Sequence, residues 1–332
     1  MYRKKGLINK VVKAVLLIVL LFAIFEIAGI GGSKTPIDIK VLEGEGLSQI
    51  ADRLDKAGVI NSEFTFKIYA RLTGKHIYQK GMHNFNTSMS YGQIIKELEK
   101  MPDAEVQTVL IPEGYELRQI ADVLDEKGLI NKEVFLREVA NGSFERDFAF
   151  VNDIPDRDNR LEGYLYPDTY TFSNDMTERE IISVMLDNFE KKVIPVYEQS
   201  QTERSLDEII NLASVIEREA ANDEERGKIA SVFINRLNKG MRLESCATVQ
   251  YILKERKAVL SNRDTMIESP YNTYRNSGLP YGPIAAPGLK SIEAAVYPED
   301  TEYYYFLAVA DGSYSLFAKT FEEHIQNQNR VQ

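Results

Sequence analysis

The stretch NLASVIEREAAN, residues 211–222, places Glu217 and Glu219 two positions apart in a run that otherwise reads as buried helix. Residues two apart on a helix face different ways, so the two carboxyls have separate surroundings. The spacing predicts a helix over 206–221, with Leu206, Ile209, Ala213, Ile216 and Ala220 along its apolar arc. Glu217 falls at the edge of that arc, four positions after Ala213. Arg218 points away from it, and Glu219 lies on the far edge near Leu212 and Val215. A carboxyl held against apolar neighbours keeps its proton at neutral pH. A general acid needs that property to protonate a leaving oxygen. On helix geometry alone, the competing reading is that both glutamates are solvated or paired surface charges.

Other residues stand as weaker candidates. LEGYLYPDTYTF, residues 161–172, carries Glu162 as a second carboxylate, suited to assist, to bind sugar hydroxyls, or to serve as a cap or ion pair. Tyr164, Tyr166, Tyr170 and Phe172 sit beside the turn residues Gly163 and Pro167. Tyrosines so placed stack on sugar rings, or simply pack. Ser214, three positions before Glu217, is placed to hydrogen-bond it or to bond a carbonyl of its own helix. Glu219 is placed to orient a neighbour or to pair with Arg236, and Tyr271, Asn272 and Tyr274 are candidates for a groove lining. Cys246 is the one cysteine, which rules out an internal disulfide. No histidine lies near it in sequence to make it a nucleophile. His76, His83 and His324 lack metal-ligand spacing, so neither a metal nor a cofactor is expected.

These residues must be carried by more than one domain. The chain has 332 residues, 44% of them hydrophobic and 10% aromatic, enough for real cores. Its net charge of −10, with no basic cluster beyond the N-terminus, argues against a nucleic-acid partner. Residues 11–30 contain only Lys13 and Glu26 as charges and approach the ~20 apolar residues of a membrane span. Arg3, Lys4, Lys5, Lys10 and Lys13 precede that run. The positive-inside rule then gives a cytoplasmic tail over 1–10 and a single uncleaved span, with the remainder extracytoplasmic. A cleaved signal peptide is the competing reading, disfavoured by the length of the run and a poor cleavage site.

A repeat organises the chain beyond this apolar run. EGEGLSQIADRLDKAGVINSE, residues 43–63, returns 70 positions later as EGYELRQIADVLDEKGLINKE, residues 113–133. Each copy predicts a strand (37–42 and 106–111), a glycine turn, and an amphipathic helix ended by Gly58 or Gly128. A second helix is expected to start near Asn61 or Asn131, and Ser48 is the expected N-cap in the first copy. The polar stretch NDIPDRDNR, residues 152–160, reads as a linker. Further helices are expected over 91–100, 177–189 and, capped by Asp223, 224–237. A hairpin turns at Asp311 and Gly312. The expected class is α+β: the N-terminal transmembrane helix, a module over 37–105, a second repeat-like segment over 106–151, and a larger α+β domain over 157–332.

EGEGLSQIADRL resembles a LysM-type module, a βααβ unit that binds N-acetylglucosamine-containing glycans. A spacer module is the alternative. Across nearly the whole chain, LASVIEREA, KIASVFINRL, MRLESCATVQY, LEGYLYPDTY, YNTY with GLPYGPIAAPG, YYYFLAV and a late EEH occur in an order that resembles the endolytic murein transglycosylase family. That resemblance implies cleavage of peptidoglycan glycan strands near the membrane, giving 1,6-anhydromuramoyl ends, beside cell-wall synthesis proteins as partners. It implies that Glu217, the first glutamate of ASVIERE, is catalytic. Cys246 and Ala247 stand where the family's commoner form has Asp and Pro, which leaves no acidic role at that position. A non-catalytic peptidoglycan-binding scaffold and a hydrolase are the rival readings.

Overall fold

The computed structural model describes residues 25, 27–42, 44–74, 76–101, 106–257, 259–309 and 312–331. The expected tail over 1–10 and most of the expected span over 11–30 lie outside the described residues. Among the described residues, no helix is long and apolar enough to cross a membrane. The chain divides into two compact units, Met1–Gln107 with Ser173–Thr177, and Thr108–Phe172 with Glu178–Gln332.

In the first unit, β1 (Ile37–Val41) alternates Ile37, Ile39 and Val41 on one side, so one face is apolar. It pairs antiparallel with β2 (Gly81–Phe85), with Ile37 opposite Phe85 and Ile39 opposite His83. Between them run α1 (Leu47–Lys56) and α2 (Glu63–Thr73), and α3 (Tyr91–Glu99) comes after β2. Ile50, Leu54, Phe66, Phe85, Tyr91, Ile94 and Leu98 fill the core. Helix α1 begins two residues earlier than the Ser48 expectation. Extended Gly46 is the N-cap, and its N–H donates to the Gln49 side chain at 2.9 Å. Ser62, not Asn61, caps α2 by accepting from the Thr65 N–H.

The second unit opens with the same plan. Strand β3 (Val106–Leu110) leads to α4 (Leu117–Glu126) and α5 (Lys132–Asn141), and returns to its partner β4 (Thr169–Ser173). Backbone angles match between the two copies: Gly44 and Gly114 have φ of 77° and 75°, and Gly58 and Gly128 have 71° and 68°. Both pairs occupy the left-handed region that glycine enters without steric cost. Asn131 caps α5 as expected. The returning strands β2 and β4 escape the sequence reading. Buried His83 puts a polar residue on the inward face of β2, and the five-residue alternation of β4, Thr169 and Thr171 outward with Tyr170 and Phe172 inward, is short and lies just after the turn residue Pro167.

Helix α6 (Glu178–Gln199) runs ten residues past the expected end, through Pro195, with Ile181, Met185, Phe189 and Val193 buried. Next come α7 (Leu206–Glu219), α8 (Arg226–Asn238), α9 (Cys246–Leu253) and α10 (Leu289–Val296). Strands β5 (Tyr305–Ala308) and β6 (Ser315–Ala318) form the expected hairpin, and α11 (Phe321–Val331) closes the chain. Gly312 takes φ 68° in that turn, while Asp311 lies outside the described residues. Asn222, not Asp223, caps the short 3₁₀ turn Asp223–Glu225 that leads into α8.

Helix α7 is the centre of this unit, packed against α8, α9 and α10, with every residue from Ile209 to Ile216 buried. Ser205 and Glu208 form a capping box that fixes its start. Its end comes at Glu219, because Ala220 turns to extended geometry (φ −72°, ψ 128°). Arg157, inside the expected linker, is only 6% exposed and pairs through both guanidinium nitrogens with Asp207 at 2.5 and 3.0 Å. Tyr164 donates its hydroxyl to the same carboxylate at 2.7 Å. That stretch is therefore tied to the base of α7.

Candidate active site

Glu217 sits in the last turn of α7 with its side chain 7% exposed. Its setting differs from the apolar one expected: three donors converge on one oxygen. Oε2 accepts from the Ser291 hydroxyl at 2.8 Å, the Gly288 N–H at 3.0 Å and Arg226 Nη1 at 3.1 Å. The apolar arc marks the buried face but not its partners, since helices α8 and α10 arrive from 9 and 71 or more positions away. Among the described residues, Oε1 has no hydrogen-bond donor, and it is not sealed from solvent. The carboxyl is thus clamped through Oε2 and presents Oε1.

The clamp is itself built. Gly288 is the N-cap of α10 and Ser291 lies in that helix's first turn, so the carboxyl meets the positive end of the helix. Arg226 also donates to Asp223 Oδ1 at 3.1 Å and to the Ser291 hydroxyl, and these bonds fix the guanidinium beside Glu217. The second repeat copy delivers one more group. Gly114 and Ala286 exchange backbone bonds with their neighbours, Gly114 N–H to Ala286 O and Ala286 N–H to Tyr115 O, both at 2.8 Å. That pairing holds Glu113 over Gly288, so close that a Cβ on Gly288 would lie 2.1 Å from the Glu113 carboxyl carbon. Burial first, then the charge of Glu217, raises the proton affinity of Glu113 above that of a free carboxyl. Tyr166, buried and covered by Lys192 at 5.1 Å from its ring, lies close enough to feel the charge of Glu113. Glu113, Arg226, Gly288 and Ser291 went unnoticed in the sequence. The repeated EG turn and the AAPG run were the available signals.

The other expected residues have different places. Ser214 does not reach Glu217: its hydroxyl donates to Asn211 O at 2.7 Å and accepts from the Ile284 N–H at 3.0 Å. The residue is fully buried, and the bond it accepts from Ile284 holds the 280–288 loop to α7, while the one it donates stays within the helix. Glu219 does not pair with Arg236, whose guanidinium bonds the Tyr304, Arg242 and Leu243 carbonyls and Glu244. Instead Glu219 accepts from the Ser245 hydroxyl and the Ala247 N–H at the start of α9, and burial raises its proton affinity. Arg218 is not solvent-facing; it meets Glu116 at 3.2 Å, each side chain 3% exposed.

Glu162 and Tyr271 come together in a cavity of about 300 Å³, which Tyr251, Asn159 and Glu116 also line and Glu217 does not. Glu162 accepts from the Leu117 N–H at 3.0 Å and the Tyr251 hydroxyl at 3.1 Å, and burial pushes its carboxyl up to about 8. Tyr271 packs between Tyr251, tilted at 5.0 Å, and Tyr281, edge-on at 5.8 Å. Asn272 is a loop brace rather than a groove residue, fully buried and donating to the Thr265 and Ile267 carbonyls. Tyr274 contacts Cys246 Sγ at 3.0 Å, and burial pushes that thiol up, away from the reactive thiolate. His83 is buried with each ring nitrogen against a carbonyl, His76 meets Glu99, and His324 stacks on Tyr305.

Residues 39–330 match the model of the YceG-like family. The chain belongs to this family. It is 35% identical over 302 residues to an endolytic murein transglycosylase of Bacillus subtilis, covering 88% of this chain and 84% of that protein. It is 32% identical over 324 residues to one of Streptococcus pneumoniae, covering 89% of this chain and 58% of that protein's length. A crystal structure of a YceG-like protein from Listeria monocytogenes superposes with a TM-score of 0.59 at 34% identity, over 89% of this chain and 99% of that one. Glu113, Glu217, Arg226, Gly288 and Ser291 all fall within the matched residues of this YceG-like chain.

Proposed function

We propose that the protein is a lytic transglycosylase that cleaves peptidoglycan glycan strands internally, with Glu217 as the acid and then the base. The observation that carries this reading is the Glu217 carboxyl, clamped through Oε2 by three donors and presenting Oε1. The names of its relatives support the substrate class. In the reaction, the proton on Glu217 Oε1 passes to the oxygen joining MurNAc to GlcNAc, and the bond from that oxygen to MurNAc C1 breaks. Positive charge develops on the MurNAc ring. Its own C6 hydroxyl attacks C1, closing the 1,6-anhydro ring, and the hydroxyl proton returns to Oε1. No water is consumed, so no second carboxylate is required to activate one, unlike ordinary glycosidases. The internal nucleophile has the high effective concentration of an intramolecular reaction.

The apolar run over 11–30 supports a single membrane anchor with the two units outside the cytoplasm, beside nascent strands and the proteins that make them. The full chain incubated with cell-wall glycan is expected to release anhydro-ended fragments, read by mass spectrometry. Glu217→Gln is expected to abolish release while leaving thermal stability and glycan binding unchanged. Fragments carrying an added water instead would identify a hydrolase, and binding without any new ends would identify a scaffold. Persisting activity in the Glu217→Gln protein would remove Glu217 from the mechanism.

A further inference from the structure

Helix α2 of the first unit is apolar on two sides. Phe66 and Ala70 face the core and are buried. Phe64, Ile68 and Leu72, spaced four apart, share another face and are 70%, 41% and 81% exposed. A helix on a protein surface ordinarily keeps such an outer stripe polar. The repeat supplies a comparison within the same chain. Ser62 caps α2 and Asn131 caps α5, and Phe66 and Ala70 take the buried places that Phe135 and Val139 hold in α5. In that register the outward counterparts of Phe64, Ile68 and Leu72 are Glu133, Arg137 and Asn141, all exposed and all polar. The fold therefore does not require apolar residues at these positions. Only the copy next to the apolar run over 11–30 carries them.

What lies beside α2 identifies the occupant. The end of that run, with the residues just after it, is seated on the first unit. Ile27 packs on its core, and a Cβ on Gly32 would lie 1.9 Å from the Thr87 carbonyl oxygen. The Ser33 N–H donates to the Thr87 hydroxyl at 2.7 Å. Residues 29–32 and 58–61 line one hollow, and α2 opens two residues later at Glu63. Phe25 and Ile30 stay more than half exposed. Arg71, exposed in the last turn of α2, supplies a cation for lipid phosphate. We propose that the stripe of Phe64, Ile68 and Leu72 docks the first unit on the lipid surface of the membrane that the 11–30 run enters. The inference rests on the reading of that run as an anchor. Three side chains would hold a free protein only weakly on a bilayer. A tethered unit meets the surface at high effective concentration, so a short stripe suffices.

The chain has no tryptophan, so one introduced at a chosen position reports on that position alone. The full chain is reconstituted in vesicles of phosphatidylglycerol and phosphatidylethanolamine, with and without brominated acyl chains. Leu72→Trp is expected to emit at shorter wavelength than Asp55→Trp, at an exposed position of α1. It is also expected to lose about half its intensity to the brominated lipid, while Asp55→Trp loses little. Adding Ile68→Asp, a change at an exposed position, is expected to abolish the quenching of Leu72→Trp. Leu20→Trp, inside the run, tests the anchor separately and is expected to be quenched with or without Ile68→Asp. If Leu20→Trp is quenched while Leu72→Trp matches Asp55→Trp, the docking is overturned and the anchor stands. A shift of Leu72→Trp to shorter wavelength without quenching also overturns the docking, and places a protein surface on the stripe instead. An unquenched Leu20→Trp overturns the anchor reading, and the docking with it.

Discussion

The Ser291→Ala substitution isolates the clamp on Glu217. Ser291 is fully buried in the first turn of α10, where alanine is a good helix former, so the fold should hold. Its hydroxyl donates to Glu217 Oε2 at 2.8 Å and accepts from Arg226. Removing a hydrogen bond to a charged group costs about 1.5–3 kcal/mol. Gly288 N–H and Arg226 Nη1 remain on Oε2 at 3.0 and 3.1 Å, which places the expected loss at the lower end. At about 1.36 kcal/mol per tenfold, the loss is about 10-fold in kcat. Ser291 has no exposed surface to touch a glycan, so KM should not change. Initial rates of anhydro-end formation, followed by mass spectrometry over a range of glycan concentrations, separate the two constants. A kcat within twofold of native would refute the argument that anchoring Oε2 orients Oε1. A raised KM with native kcat would place Ser291 in binding instead.

Two further substitutions report on the surroundings of the site. Glu162 is buried and its carboxyl is pushed up to about 8 from an unfolded value near 4.5, so the folded state binds the proton more tightly. Its contribution to stability is full below about pH 4.5 and is lost as pH rises toward 8. Glu162→Gln should therefore gain melting temperature relative to native between pH 5 and pH 8, and parallel melting curves at the two pH values would contradict the buried neutral carboxyl. Asp207→Ala strands Arg157, whose side chain is 1% exposed, and should cost about 3–5 kcal/mol in denaturant unfolding. A cost under about 1 kcal/mol would show that this ion pair does not hold the 152–160 stretch to α7.

The sequence by itself determined the elements whose signals are local. The repeat was legible because its turns need glycine at fixed positions, and Gly44, Gly58, Gly114 and Gly128 all adopt the left-handed angles that such turns require. Helix α7 was legible because one period of apolar spacing covers it, and its place at the heart of a core follows from that spacing. The ordered motifs also gave the family and singled out Glu217. The surroundings of Glu217 were not legible. An apolar arc reports that a side chain turns inward but not what it meets. The Glu217 clamp is closed by Arg226, nine positions on, and by Gly288 and Ser291, 71 and 74 positions on. Strands β2 and β4 were missed for the same reason. Their pairing with β1 and β3 is decided by partners across the βαα intervals rather than by their own short five-residue sequences. The separation of Glu162 and Tyr271 from Glu217, and the arrival of Glu113 beside it, are likewise set by tertiary packing. A carboxyl's chemistry depends on the charges and donors within a few ångströms, and in this chain most of those come from distant sequence.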